Sequence, residues 1–119
     1  MAKNRIQRNL NVMDKADKLV VKFANKYGVD KSDVVNSMIR TYKSKTESGE
    51  WVDGKVSNGF HVSKDNKGNC YYRIDEELDG WLNEKSNEEG IYKSDLLTRI
   101  ILYTVTRAKR GDIDKQQLA

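Results

Sequence analysis

The sequence predicts an α+β fold, mostly helical, made of two copies of one strand–helix–helix unit. Three observations carry this. First, Gly28-Val29-Asp30-Lys31-Ser32-Asp33-Val34-Val35 returns 62 positions later as Gly90-Ile91-Tyr92-Lys93-Ser94-Asp95-Leu96-Leu97, and the flanking segments align at that offset without a gap. Second, an alternating apolar–polar stretch with the period of a half-buried strand opens each copy. Third, apolar residues at three- and four-residue spacing follow each strand and each glycine, marking one helical face at a time. The chain then divides into a first unit at 1–45, a linker at 46–68, a second unit at 69–111 and a polar tail at 112–119.

In the first copy, Ile6, Leu10 and Val12 alternate with Arg5, Gln7, Asn9 and Asn11. Arg8 interrupts the apolar side, either near a frayed end or paired with a carboxylate. Asp14 offers an N-cap. Ala16, Leu19, Val20, Phe23, Ala24 and Tyr27 form the apolar face of the first helix, which Gly28 stops. Asp30 is placed to cap a second helix over 31–45, whose inner face is Val34, Val35, Met38, Ile39 and Tyr42. Glycines then break up residues 46–68. The turn pairs Asp53-Gly54 and Asn58-Gly59 admit a short hairpin between 50–52 and 60–62, or else a flexible connector. Either is long enough to bring a second strand beside the first.

The second strand starts near Asn69. Cys70, Tyr72 and Ile74 face one way and Asn69, Tyr71 and Arg73 the other. Asp75 is the expected cap. Leu78, Trp81 and Leu82 begin the next apolar face, while Lys85 and Ser86 replace Phe23 and Ala24, leaving that helix less apolar. Ile91, Leu96, Leu97, Ile100, Ile101 and Thr104 line the last helix, with Arg107, Lys109 and Arg110 near the end where cations suit its dipole. Gly111 is expected to end it.

Each unit has about forty residues, a size at which a lone core is inadequate, so the copies should share one. Within the 119 residues, 37% are hydrophobic and 34% charged, which fits a small globular protein with a polar surface. No apolar run approaches the roughly 20 residues of a membrane span, and the first residues lead into no signal-peptide core. A single cysteine excludes an internal disulfide and fits a reducing, cytoplasmic setting. With one histidine and one cysteine, a zinc site is not expected, and no other cofactor is implied.

The net charge of +4 is unevenly placed. Residues 1–45 carry 11 Lys/Arg against 4 Asp/Glu, whereas residues 69–119 carry 8 against 10. A basic first half fits a polyanionic partner, and equally a solvated lysine-rich surface.

The alternating strands, the capped first helices, the Gly-aliphatic turns, the Lys-Ser helix starts and the junction Arg73-Ile74-Asp75-Glu76-Glu77-Leu78 together resemble the ribbon-helix-helix family of DNA-binding proteins, the Arc and MetJ type. Two units in one chain are similar to the TraY-type conjugation accessory proteins. The resemblance implies two ribbon-helix-helix units folded into one intramolecular pseudo-dimer, with a two-stranded antiparallel β-ribbon and four helices. Such a ribbon fits the major groove of double-stranded DNA. Gln7, Asn9, Asn11, Asn69, Tyr71 and Arg73 are then the expected base contacts. Gln and Asn match the two polar groups of an adenine edge, and Arg73 matches those of guanine. Tyr71 reaches a thymine methyl or a phosphate, or lies over the ribbon. By the same resemblance, Lys31, Ser32, Lys93 and Ser94 at the second-helix starts, together with Arg5, contact phosphates. Ordinary helix initiation explains the Lys-Ser pairs as well.

The implied function is sequence-specific DNA binding, as a relaxosome accessory protein or as a transcriptional repressor of a plasmid, phage or other mobile element. Expected partners are duplex DNA, a relaxase or other mobile-element protein, and further copies side by side on DNA. An antitoxin or other protein-interaction module of the same fold is the alternative. It is weakened by a short tail that is polar apart from Ile113 and Leu118, although Trp51, Phe60 and His61 offer a contact surface. An enzyme is disfavoured. His61 stands alone in the linker, Cys70 faces the expected core, and no Gly-rich phosphate loop or metal-ligand cluster is present.

Overall fold

Two nine-residue strands, β1 (Arg5–Met13) and β2 (Lys67–Asp75), pair antiparallel as a two-stranded sheet. The computed structural model describes the backbone of residues 4–51 and 67–111, and the side chains of 4–51 and 70–111. Pairing runs from Arg5 opposite Asp75 to Met13 opposite Lys67, with Asn9 opposite Tyr71 at the centre. This register stacks Ile6 on Ile74, Arg8 on Tyr72 and Leu10 on Cys70. Cys70, Tyr72, Ile74 and Val12 are buried, and Ile6 and Leu10 are half-buried, as the alternation predicts.

Four helices close over that face: α1 (Asp14–Tyr27), α2 (Lys31–Glu47), α3 (Glu76–Glu89) and α4 (Lys93–Lys109). The two halves match in length element by element, with strands of 9, first helices of 14 and second helices of 17 residues. Gly28 and Gly90 end α1 and α3 in the left-handed region, at φ 65° and 67°. There the Val29 N–H returns to the Ala24 carbonyl at 3.0 Å, and the Ile91 N–H to that of Ser86 at 3.1 Å. Glycine takes this backbone without the steric cost a Cβ would impose.

The capping expectations need correction. Asp14 is the first residue of α1 rather than its cap. Asp30 and Asp75 do stand at cap positions, but neither side chain bonds a helix N–H. The Asp75 carboxylate, almost fully buried, instead accepts from Arg5 and Arg40, each at 3.0 Å. For a buried carboxylate, charge-assisted bonds to guanidinium outweigh a neutral N–H cap. Two boundaries also shift: α2 continues to Glu47, and β2 begins at Lys67, before Asn69. The hairpin expected between 50–52 and 60–62 lies outside the described residues except for Glu50 and Trp51.

Each second helix reaches the strand of the other half. A two-stranded sheet leaves one backbone edge of each strand open, and buried open edges are costly. From α2, the Asn36 amide donates to the Arg73 carbonyl at 2.8 Å and accepts from the Asp75 N–H at 2.8 Å; the Ser32 hydroxyl accepts from the Arg73 N–H at 2.9 Å. From α4, the Thr98 hydroxyl accepts from the Met13 N–H at 3.2 Å. Each second helix therefore seals the strand of the other half.

Below the strands lies one continuous core that includes Val20, Val34, Met38, Ile39, Ile74, Leu82, Leu97, Ile100 and Ile101. At its far side Trp51 folds back over the helices. Its backbone N–H donates to the Lys45 carbonyl at 3.0 Å, and its ring meets Tyr103 and Tyr42 at 5.3 and 6.2 Å. The Arg107 guanidinium covers it at 5.9 Å. Trp51 thus packs over the helices, consistent with a structural use of this residue. Replacing Trp51 by Ala should cost about 3–5 kcal/mol, the range for emptying a buried large aromatic site. Urea unfolding measures this, and a loss under 1 kcal/mol would show that the ring contributes little.

Candidate nucleic-acid interface

The strand face turned away from the helices is polar because the period of two leaves it no other residues. Gln7, Asn9, Asn11, Tyr71 and Arg73 are exposed there, Tyr71 at 58%. The Asn69 backbone lies opposite Asn11, and its side chain is outside the described residues. Among the described residues no acceptor meets the Arg73 guanidinium, so its planar donor fork is available to a ligand.

Beside this face opens a broad cleft lined by Asn4, Arg5, Gln7, Asp30, Lys31, Ser32, Tyr71, Tyr72 and Arg73. It brings three expected base readers, Gln7, Tyr71 and Arg73, together with three expected phosphate contacts, Arg5, Lys31 and Ser32. The start of α2 is its wall. The first turn of a helix leaves N–H groups without intrahelical partners, and these favour an anion. The Ser32 hydroxyl accepts from the backbone of β2, yet its own hydrogen remains free to donate outward. Asn4 and Asp30 also line the cleft, and the exposed Asp30 places a carboxylate at its lip.

The basic side chains are less free than the sequence implies. Lys31 pairs with Asp17 at 3.0 Å and lies 5.1 Å from the Tyr72 ring centroid. Arg5 bridges Asp33 at 2.8 Å and Asp75 at 3.0 Å. Lys93 pairs with Asp79, which also takes both arms of Arg8 at 3.0 and 2.8 Å. Asp17 and Asp79 occupy matching positions in α1 and α3, so each second-helix lysine turns back onto its own first helix. Arg8, the polar interruption of the apolar strand face, thus finds its carboxylate.

Both aspartates are electrostatically poised. Burial alone would raise the Asp17 carboxyl, but bonds from the Tyr72 hydroxyl and from Lys31 hold it below the ordinary range. Burial likewise opposes ionisation of Asp79, and Arg8 and Lys93 more than compensate. Tyr72 is pushed well above its usual value, chiefly by burial and then by donating to Asp17 at 2.7 Å. Burial raises the Cys70 thiol as well.

The two helix starts differ where the repeat itself differs. Tyr92 stands where the first copy has Asp30, and it is 78% exposed. Sequence reasoning gave Tyr92, Asn4 and Asn36 no role. Aligning the repeats picks out Tyr92 as an exposed aromatic substitution. Asn36 shows only as a polar residue inside an apolar helical face, and Asn4 carries no signal. Among the described residues no cluster of His, Cys, Asp and Glu is arranged to hold a metal, and no helix is long and apolar enough to cross a membrane. Comparison with protein families, with curated proteins and with solved structures finds no match.

The Asp79 cluster makes a stability prediction. Its side chain is 4% exposed and that of Lys93 17%, whereas Arg8 is 39% exposed and is discounted for solvent screening. Asp79→Asn should cost about 2–3 kcal/mol at neutral pH. The folded carboxyl binds its proton more weakly than the unfolded one. Its contribution is therefore complete above the ordinary aspartate value of about 4, and it is lost as pH falls through the lower folded value. Urea unfolding of both proteins across this range should show the gap closing in acid. A gap of equal size at pH 7 and below pH 3 would assign the loss to packing instead.

Proposed function

We propose that the chain is a tandem ribbon-helix-helix protein, one intramolecular pseudo-dimer that binds double-stranded DNA by laying its β-ribbon in the major groove. The observation that carries this reading is the cleft at which Gln7, Tyr71 and Arg73 meet the start of α2. Strand residues facing a groove floor and helix N–H groups facing its phosphate wall are the two halves of such an interface. Gln7, Asn9, Asn11, Asn69, Tyr71 and Arg73 read bases. Lys31, Ser32, Lys93, Ser94 and Arg5 hold the backbone, the helix N–H groups carrying more of that task than the paired ammoniums. Lys31, 34% exposed, reaches a phosphate by leaving Asp17, whereas Lys93 is more deeply enclosed. The setting is a relaxosome with a relaxase as partner, or repression at a promoter of a mobile element. A relaxase gene or a divergent promoter beside the coding sequence separates these two.

Mobility shifts over a range of salt test the reading, since duplex binding should weaken steeply as salt rises. Failure to bind any duplex at low salt would sink it. Asn9→Ala and Arg73→Ala should each relax base preference, by about 1–3 kcal/mol at the base concerned. Lys31→Ala should weaken all sequences alike and lower the salt slope by about one. A change in base preference without loss of general affinity would reverse the assigned roles.

The acidic lip offers a gain-of-affinity test. Asp30→Asn removes a negative charge beside the expected phosphate path. It should tighten binding to every duplex at low salt, with the gain fading as screening increases. Unchanged affinity at low salt would mean that the DNA backbone passes elsewhere.

A further inference from the structure

The first helices of the two halves carry opposite charge at matching positions. Lys15, Lys22 and Lys26 on α1 correspond, at the 62-residue offset, to Glu77, Glu84 and Glu88 on α3. All six are exposed, and on each helix they fall at i, i+7 and i+11, along one side. Over its whole length α1 carries four lysines against two aspartates, whereas α3 carries six carboxylates against one lysine. Lys18 adds to the α1 stripe, and Met13 and Leu19 line a groove with Lys15, Lys18 and Lys22, where Asp14 is the one carboxylate. Among the described residues neither Lys15 nor Lys22 meets a carboxylate, and neither Glu77 nor Glu84 meets a cation. Glu88 has Lys85 at 3.6 Å.

The two helices start from opposite ends of the ribbon. Helix α1 leaves the ribbon after Met13, and α3 leaves it after Asp75, which lies opposite Arg5 at the other end. A surface complementary to a different surface of the same molecule generates a head-to-tail contact, which continues as an open row unless its geometry closes into a ring.

We infer that the lysine face of α1 docks on the glutamate face of α3 of a second copy, so that chains associate in a directional row. The contact requires no DNA and does not rest on the DNA-binding reading. In such a row every chain presents its ribbon with the same polarity.

Sedimentation velocity of the 119-residue chain without nucleic acid tests this. At low ionic strength the average mass should climb with concentration. It should return to the single-chain 13.7 kDa near 1 M salt, where the screening length is about 3 Å. Two charge-reversed proteins then isolate the contact. Lys15→Glu/Lys22→Glu/Lys26→Glu has two acidic faces, and Glu77→Lys/Glu84→Lys/Glu88→Lys has two basic ones. Each alone should associate at least about tenfold more weakly than the unchanged chain, through like-charge repulsion. Mixed in equal amounts they should associate again, which also establishes that both fold. A single-chain mass at every concentration and salt overturns the inference. So does undiminished association of the acidic protein alone, or a mixture of two folded proteins that stays apart. In that last case the lysine stripe serves a different polyanion, duplex DNA included, which a loss of duplex binding by the acidic protein would reveal.

Discussion

A strand paired on one edge alone leaves its other edge for something else to satisfy, and that constraint governs this molecule. Strands β1 and β2 satisfy one another along their shared edge. Asn36 and Ser32 of α2 then close the outer edge of β2, and Thr98 of α4 caps the end of β1. Each of these residues belongs to the half opposite the strand it seals. Neither half, with about forty residues, has both a closed edge and a filled core by itself. The pairing of the strands and the seating of each second helix against the other half's strand both serve the requirement for paired backbone hydrogen bonds, and together they enclose the single core.

A second layer of constraint is ionic. Asp17, Asp75 and Asp79 lie at the rim of the core, and each is met by at least one cation. These pairs fasten helices to strands, as Arg40 of α2 and Arg5 of β1 do by sharing the Asp75 carboxylate. They also change the character of the proposed DNA surface. Cations that would otherwise present themselves to phosphate are held inward, while among the described residues Arg73 and the amides of Gln7, Asn9 and Asn11 stay exposed. A surface of that kind relies on groove chemistry and helix N–H groups more than on accumulated positive charge. The basic bias of the first half is spread over its strand and both helices, α1 carrying four lysines against two aspartates.

Much of the fold was legible in the residues because their periods are unambiguous. Val34, Val35, Met38, Ile39 and Tyr42 are all buried, as their spacing requires, and Cys70, Tyr72 and Ile74 point inward together. Gly28 and Gly90 end their helices for a reason local to each glycine. The role of Asp75 is not legible in the sequence because its carboxylate suits a helix N–H and a guanidinium equally, and only the arrival of Arg5 and Arg40 from distant parts of the chain decides between them. The ion pairs of Lys31 and Lys93 are hidden from the sequence for the same reason. Their partners Asp17 and Asp79 lie fourteen residues earlier on another helix, and no local pattern links them.

The sequence by itself determined the duplicated order of elements, the inward and outward face of each, and the polar residues offered by the two strands. Those follow from side-chain period, from glycine's access to the left-handed region and from a 62-residue offset. The tertiary structure decided which strand meets which helix, where each buried charge finds its counter-charge, and which residues gather at one cleft. These outcomes depend on groups brought together from up to 85 positions apart, as Met13 and Thr98 are. Distance along the chain carries no information about such meetings until the backbone has closed.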